Sequence, residues 1–138
     1  LLKPVMVYAD ADMIRVVLRN LISNAIKFTP EGKNIHISGQ IKGAFLEICV
    51  QDTGVGIPEK DQHKIFSNIY YSTSGTQNEK GCGLGLPLSK DFVELNKGCI
   101  WFRSQAEKGT SFYFTIPLSE EETNLQGYTI VVREHITD

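Results

Sequence analysis

The sequence lacks the features that would place it in a membrane or on nucleic acid. No apolar run approaches the roughly 20 residues that a membrane-spanning helix requires, and no signal peptide is present. The formal net charge of −2 gives no electrostatic attraction toward nucleic acid or an anionic bilayer. The three cysteines are odd in number and lack metal-ligand spacing, so we expect reduced thiols and a cytoplasmic location.

The length and composition are those of one globular domain. The chain has 138 residues, of which 41% are hydrophobic and 22% are charged, enough for a single core. We assign residues 1–118 to this domain and residues 119–138 to a C-terminal linker or tail. The tail could supply an edge strand, the start of another domain or a tag remnant. Because the chain begins with Leu1, we expect a fragment, so that an inner-membrane anchor of the full-length protein would lie outside it.

Residues 10–30 predict one amphipathic helix. Asp10 can cap its first turn, and Pro30 should end it, since the residue before a proline is disfavoured in the helical conformation. At about 100° per residue, one face collects apolar side chains and becomes the expected core stripe. That stripe comprises Ile14, Leu18, Leu21, Ala25 and Phe28, with Val17 and Ile22 at its edges.

A polar stripe runs beside the apolar one and is formed by Asn20, Asn24 and Lys27. The three side chains follow one another at about one helical turn and so share a side of the helix. Two amide oxygens one turn apart could coordinate a hard cation such as Mg²⁺, and the lysine could reach a phosphate. A solvated polar edge explains the same pattern, so the helix alone leaves both interpretations open.

Alternating apolar residues predict strands elsewhere in the chain. The expected strands are residues 33–41, 44–51, 99–104 and 110–117, with a short edge strand at 5–9. Lys42 and Gly43 should form the turn of a hairpin between the first two. Further helices are expected at residues 58–66 and 84–96, the second one stopping at Gly98. Its expected buried side comprises Leu84, Leu88, Phe92 and Leu95.

The second strand of the hairpin runs into D-T-G-V-G-I-P at residues 52–58. Asp52 shares the parity of Val50, so its carboxylate should face the helix layer, where it needs a hydrogen-bond donor. A ligand amino group could supply one, and Gly54 and Gly56 would let a flat ring approach the backbone. An ordinary strand-to-helix turn is the alternative.

Residues 67–83 form a polar, glycine-rich stretch without periodicity, longer than most loops in a compact domain. Such stretches are usually functional lids or disordered segments. This one leads into G-C-G-L-G-L at residues 81–86, directly before a predicted helix. Free N–H groups and the helix dipole favour an anion there, so the motif could cradle a phosphate. Its spacing is neither that of a P-loop nor that of a dinucleotide fingerprint.

Five motifs follow one another along the chain at suitable spacing. They are N-L-I-S-N-A-I-K-F at 20–28, D-T-G-V-G-I-P at 52–58, I-F at 65–66, G-C-G-L-G-L at 81–86 and G-T-S-F at 109–112. In this order the chain resembles, over residues 5–117, the ATP-binding catalytic domain of sensor histidine kinases. The wider superfamily, built on the Bergerat fold, includes type II topoisomerases, mismatch-repair ATPases and the ninety-kilodalton heat-shock chaperone.

The resemblance implies an α/β (α+β) two-layer sandwich, a mixed β-sheet with helices packed on one face, and ATP between helix and lid. Asn24, with Asn20, would hold Mg²⁺, and Asn24 and Lys27 would be the catalytic groups at the phosphates. Asp52 would accept the adenine amino proton. The other residues implied for nucleotide binding are Gly54, Gly56, Ile57 and Thr110 near the base, and Gly81, Gly83, Leu84, Gly85 and Leu86 near the triphosphate.

Two departures from the family pattern bear on activity. Ser23 stands where superfamily members that hydrolyse ATP often carry a glutamate base, so we expect a weak ATPase at best. His36, His63 and His135 lack the family's acceptor context. The phospho-acceptor should therefore lie upstream, on a dimerisation domain. Further partners implied by the resemblance are a response regulator receiver domain and a second copy in a full-length homodimer.

Three other functions share this pattern. One is a degenerate domain that binds nucleotide without transfer, which the presence of Asn24, Asp52, Gly83 and Gly85 disfavours. An anti-sigma-type serine kinase has the same fold at a similar length, and a helical segment with an acceptor histidine before Leu1 would argue against it. A nucleotide-gated dimerisation module, as in the topoisomerases, normally needs the base that is missing at Ser23.

Overall fold

The chain folds into a sheet with helices packed on one of its faces. The computed structural model describes residues 5–67 and 85–119, together with the backbone of residues 129–130. In chain order the elements are α1 (Ala11–Phe28), β1 (Ile35–Lys42), β2 (Phe45–Asp52), α2 (Glu59–Gln62), α3 (Gly85–Leu95), β3 (Ile100–Gln105), β4 (Gly109–Pro117) and β5 (Thr129–Ile130). The two-layer sandwich is confirmed, with its core between helices and sheet. None of the described helices is long and apolar enough to cross a bilayer.

The described strands form one sheet in the order β3-β4-β2-β1-β5. Every pairing is antiparallel, so over the described residues the sheet differs from the mixed one that we expected. The connections explain the difference, because short turns join β1 to β2 and β3 to β4, and such turns join only antiparallel strands. β4 pairs with β2 at the centre of the sheet and places Thr110 opposite Asp52.

The predicted β1–β2 hairpin is confirmed, with its turn one residue later than expected. Lys42 still pairs with Phe45, and the turn consists of Gly43 and Ala44. Gly43 has φ +60°, a conformation that glycine adopts at no steric cost. Alternate residues of β2 are buried, and Asp52 falls on the buried side as its parity predicted.

Helix α1 begins and ends where the sequence predicts. The backbone N–H of Met13 donates to the Asp10 side chain at 3.0 Å, and the helix stops at Thr29, which is extended directly before Pro30. The buried face is rotated from the predicted stripe, since α1 packs against both α3 and β2. Its fully buried residues are Val17, Leu21, Ile22 and Ala25, whereas Ile14, Leu18 and Phe28 are only partly buried.

The predicted apolar side of α3 is wrong at Leu88 and Leu95 and confirmed at Phe92, which is partly buried against the core. Leu88 and Leu95 are 41% and 68% exposed, and Leu84 lies outside the described residues. The buried residues of this helix are Pro87, Ser89 and Val93. Ser89 meets α1 through a hydrogen bond to Asn20, a polar contact between helices that apolar periodicity does not reveal.

The end of α3 is a Schellman motif. The N–H of Gly98 donates to the carbonyl of Val93 at 2.9 Å, and that of Lys97 donates to Glu94 at 3.0 Å. Lys97 takes the positive φ of 66° that glycine usually supplies. The predicted stop at Gly98 is therefore confirmed, with the left-handed residue one position earlier.

Peripheral segments differ more from the sequence predictions. Residues 5–9 form a single bridge, between Val7 and Leu118, and not the expected edge strand. The expected helix at 58–66 is helical only at Glu59–Gln62, after which turns lead to Phe66, whose ring packs against Phe102 at 5.7 Å. At the far edge of the sheet, the backbone of β5 pairs with Gly39 and Gln40 of β1.

Candidate functional site

Asp52 is a buried acid at the end of the central strand β2. It is 6% exposed, and its Oδ1 accepts the backbone N–H groups of Gly54 at 2.9 Å and Thr110 at 3.2 Å. Burial raises the pKa of the Asp52 carboxyl above its ordinary value, and these two N–H groups counter the rise in part.

The two recorded hydrogen bonds of Asp52 share one of its oxygens. Both hydrogen bonds end on Oδ1, so none recorded among the described residues engages Oδ2. Within the described residues, Asp52 is thus an acceptor held through Oδ1, and an ionised carboxylate can accept a further hydrogen bond at Oδ2.

The turn after Asp52 is clamped between α1 and the β3–β4 turn. The N–H of Val55 donates to the carbonyl of Phe28 at 3.2 Å, and the N–H of Glu107 donates to the carbonyl of Val55 at 2.6 Å. A Cβ at Gly54 would lie 2.1 Å from the Phe28 oxygen, and one at Gly56 would lie 2.2 Å from the oxygen of residue 105. Close backbone packing therefore requires both glycines, a reason different from the ring approach inferred from the sequence.

Thr110 lies beside Asp52 as expected, and Ser104 joins it. Ser104 Oγ lies 2.8 Å from Thr110 Oγ1 and accepts the N–H of Ile57 at 2.7 Å. Ser104 belongs to no motif, so the sequence did not predict its place in the site. Only the pairing of Ser104 with Thr110 across β3 and β4 reveals it. These hydroxyls tie the turn at residues 52–58 to the last hairpin.

The polar stripe of α1 lies next to the same turn. Asn24 and Lys27 are partly exposed, and the Lys27 ammonium lies 4.9 Å from the centroid of the Phe28 ring. Asn20 is joined to the first turn of α3, since its Nδ2 donates to the carbonyl of Gly85 at 3.1 Å. The structure thus brings the α1 stripe together with the Asp52 turn at its C-terminal end and with Gly85 on its flank. Gly81, Gly83 and Leu84 lie outside the described residues, whereas Leu86 packs against the core.

The donor set suits a hard cation that arrives with its own oxygens. No cluster of three or more His, Cys, Asp or Glu side chains exists among the described residues, so the protein shows no self-sufficient metal site there. Asn20 and Asn24 offer two amide oxygens, and Mg²⁺ is commonly held by few protein ligands plus substrate phosphates. The residues therefore fit a magnesium ion that a polyphosphate would bring.

A family model described as the histidine kinase-, DNA gyrase B- and HSP90-like ATPase matches residues 9–120. The chain belongs to this ATPase family. Sensor histidine kinase WalK of Bacillus subtilis (strain 168) is 41% identical over 116 residues, which make up 82% of this chain and 19% of WalK.

Two solved structures share the fold of this ATPase domain. The catalytic domain of histidine kinase ThkA, in a nucleotide-free form, gives a TM-score of 0.67 at 37% identity, over 80% of this chain and 70% of that one. Full-length ShkA in complex with AMPPNP gives a TM-score of 0.67 at 26% identity, over 84% of this chain and 24% of ShkA. The ATPase domain thus spans most of ThkA's crystallised chain but a small part of WalK and ShkA.

Proposed function

We propose that residues 1–118 form the ATP-binding catalytic domain of a sensor histidine kinase. The domain would bind Mg-ATP and transfer the γ-phosphoryl group to a histidine on a dimerisation domain elsewhere in the full-length protein. The observation that carries the proposal is the buried Asp52 carboxylate, which two backbone N–H groups hold through Oδ1, with no recorded hydrogen bond to Oδ2 among the described residues. WalK and ThkA, to which this domain is similar, are both histidine kinases, and this similarity supports the same activity.

Asp52 suits adenine by its hydrogen-bonding chemistry. An ionised carboxylate only accepts hydrogen bonds, and adenine presents an amino donor where guanine presents a carbonyl. Asp52 Oδ2 would accept that amino proton, while Gly54, Gly56 and Ile57 border the base. Thr110, whose hydroxyl contacts Ser104, would complete the polar edge.

The α1 stripe suits the phosphate end. Asn24 and Asn20 would hold Mg²⁺ through their amide oxygens, and the Lys27 ammonium would contact a phosphate oxygen. When bound, the metal would supply positive charge against the phosphates. Ser23, next to Asn24, is exposed and carries no carboxylate, so the chain's own contribution would be to position and neutralise the triphosphate rather than to activate water. The triphosphate would be flanked by Gly81, Gly83, Leu84, Gly85 and Leu86.

The phospho-acceptor would lie outside this domain. His36 and His63 are exposed surface residues of the sheet and of the turn after α2. The full-length protein would act as a homodimer and pass its phosphoryl group to a response regulator receiver domain. The catalytic domain would work in the cytoplasm, and any inner-membrane anchor would lie in another part of the protein.

Phosphotransfer between separate domains tests the proposal. This chain is mixed with the purified dimerisation domain of the same protein, Mg²⁺ and ATP labelled at the γ-phosphate. We expect label on the dimerisation domain that is lost in acid and stable in alkali, as a phosphohistidine is. The control is a dimerisation domain whose acceptor histidine is replaced by glutamine. Acid-stable label on a serine would favour the anti-sigma-type kinase, and absence of both label and ATP binding would refute the proposal.

A further inference from the structure

A buried hydroxyl connects α1 to the first turn of α3. Ser89 is 0% exposed, and its Oγ donates to the carbonyl of Gly85 at 2.7 Å. The same Oγ accepts from Asn20 Nδ2 at 3.2 Å, and that nitrogen also donates to the Gly85 carbonyl at 3.1 Å. The three groups form a closed ring in which both amide protons and the hydroxyl proton are used.

The ring determines which way the Asn20 amide faces. A carbonyl can only accept, so the nitrogen of the amide, and not its oxygen, must point at Gly85. Asn20 Oδ1 takes part in none of the hydrogen bonds recorded among the described residues. Within the described part of the chain, this oxygen is therefore the unused acceptor of Asn20, on the stripe that also carries Asn24.

Packing alone does not require a hydroxyl at position 89. The other buried side chains of the two helices are apolar, among them Val93 one turn along α3 and Val17 and Leu21 on α1. A hydroxyl buried among them loses its hydration, and the ring of hydrogen bonds mainly offsets that loss. Relative to an apolar side chain, its distinctive effect is to hold the Asn20 amide in one orientation at a set distance from Gly85.

We infer that Ser89 is a positioning residue for the phosphate end of the site. It would not touch the nucleotide. It would act through Asn20, keeping the amide oxygen directed to the ligand side and the start of α3 aligned with the α1 stripe. The inference rests on the proposed function, because it assumes that this end of the site receives the triphosphate.

Ser89→Ala separates positioning from simple support of the fold. Without the hydroxyl, the amide loses one of its two acceptors, so the Kd for Mg-ATP should rise about three- to tenfold. Adenosine lacks the phosphates and would be bound at the Asp52 end of the site, so its Kd should be the same for Ser89→Ala as for the parent. Ser89→Cys keeps the side-chain shape, with a somewhat larger atom and weaker hydrogen bonding, and its Kd for Mg-ATP should lie between those of the parent and the alanine variant. The matched control is Ser119→Ala, which removes a buried hydroxyl that has no partner among the described residues and should alter neither affinity.

The two ligands, measured by titration on parent and variants, distinguish every outcome. Unchanged Mg-ATP affinity in Ser89→Ala would overturn the inference. An equal loss for adenosine and Mg-ATP would also overturn it, since it would show a structural role for Ser89. If the parent itself binds neither ligand, the proposed function fails and the inference fails with it; a normal parent with a normal Ser89→Ala variant removes only the inference.

Discussion

Replacing Asp52 by asparagine changes the charge at the base of the site and almost nothing else. The asparagine oxygen can still accept the N–H groups of Gly54 and Thr110, which lie 2.9 and 3.2 Å from Oδ1. The amide nitrogen then occupies the place of Oδ2 and presents a donor. Because burial raises the pKa of Asp52, its charged form is disfavoured in the fold, so Asp52→Asn should be at least as stable as the parent near neutral pH.

Nucleotide affinity should change in the opposite direction. The lost interaction is a hydrogen bond to a charged group, worth about 1.5–3 kcal/mol, so ATP binding should weaken roughly 10- to 150-fold. The preference for ATP over GTP should narrow, since an amide can donate to guanine's carbonyl. Asp52→Ala offers no donor and should weaken ATP without helping GTP. Asp52→Ala also leaves the buried N–H groups of Gly54 and Thr110 without their acceptor, at a cost of about 1–3 kcal/mol of unfolding free energy.

Competition with a fluorescent ATP analogue measures both nucleotides against all three proteins, and urea unfolding measures their stability. The reasoning fails if Asp52→Asn binds ATP as tightly as the parent and still excludes GTP. A large loss of stability in Asp52→Asn would also count against it, because the backbone contacts at Oδ1 would then need the charge.

Three further predictions test other parts of the site. Asp52 holds its proton more tightly in the folded than in the unfolded chain, because its folded pKa is raised above the ordinary 3.8. As pH falls from above the raised pKa toward 3.8, the nucleotide-free parent should gain unfolding free energy relative to Asp52→Asn, while its ATP binding weakens. Urea unfolding and competition titrations on both proteins measure this, and equal pH slopes for the parent and Asp52→Asn would contradict it. Gly54→Ala places a Cβ 2.1 Å from the Phe28 oxygen and should cost about 1–3 kcal/mol of unfolding free energy. A Cβ at Gly85 meets nothing nearer than 3.5 Å. In Gly85→Ala, calorimetry should therefore show any loss in ligand affinity and none in the free energy of unfolding. Asn24→Ala should remove the Mg²⁺ dependence of ATP binding with an unchanged thermal midpoint, and surviving dependence in calorimetry would exclude Asn24 as the metal ligand.

Features that depend on neighbours along the chain could be predicted from the sequence. Asp10 and Pro30 mark the ends of α1 because capping and the restriction before proline act within a few residues. Alternation in β2 placed Asp52 on the buried side because side chains on a strand change sides at every residue. The order of the motifs indicated the ATPase family, which residues 9–120 match.

Features that depend on contacts between distant segments needed the tertiary structure. Ile57 and Ser104 meet across 47 positions, and Asn20 and Ser89 across 69. Periodicity alone placed Leu88 and Leu95 in the core, yet α3 turns Ser89 toward α1 because a ring of hydrogen bonds, invisible to a hydrophobic pattern, sets that contact. The need for glycine at 54 likewise arises from the carbonyl of Phe28. The sequence shows where a tight turn is possible, but only tertiary packing places a distant backbone oxygen where the Cβ of any other residue would clash with it.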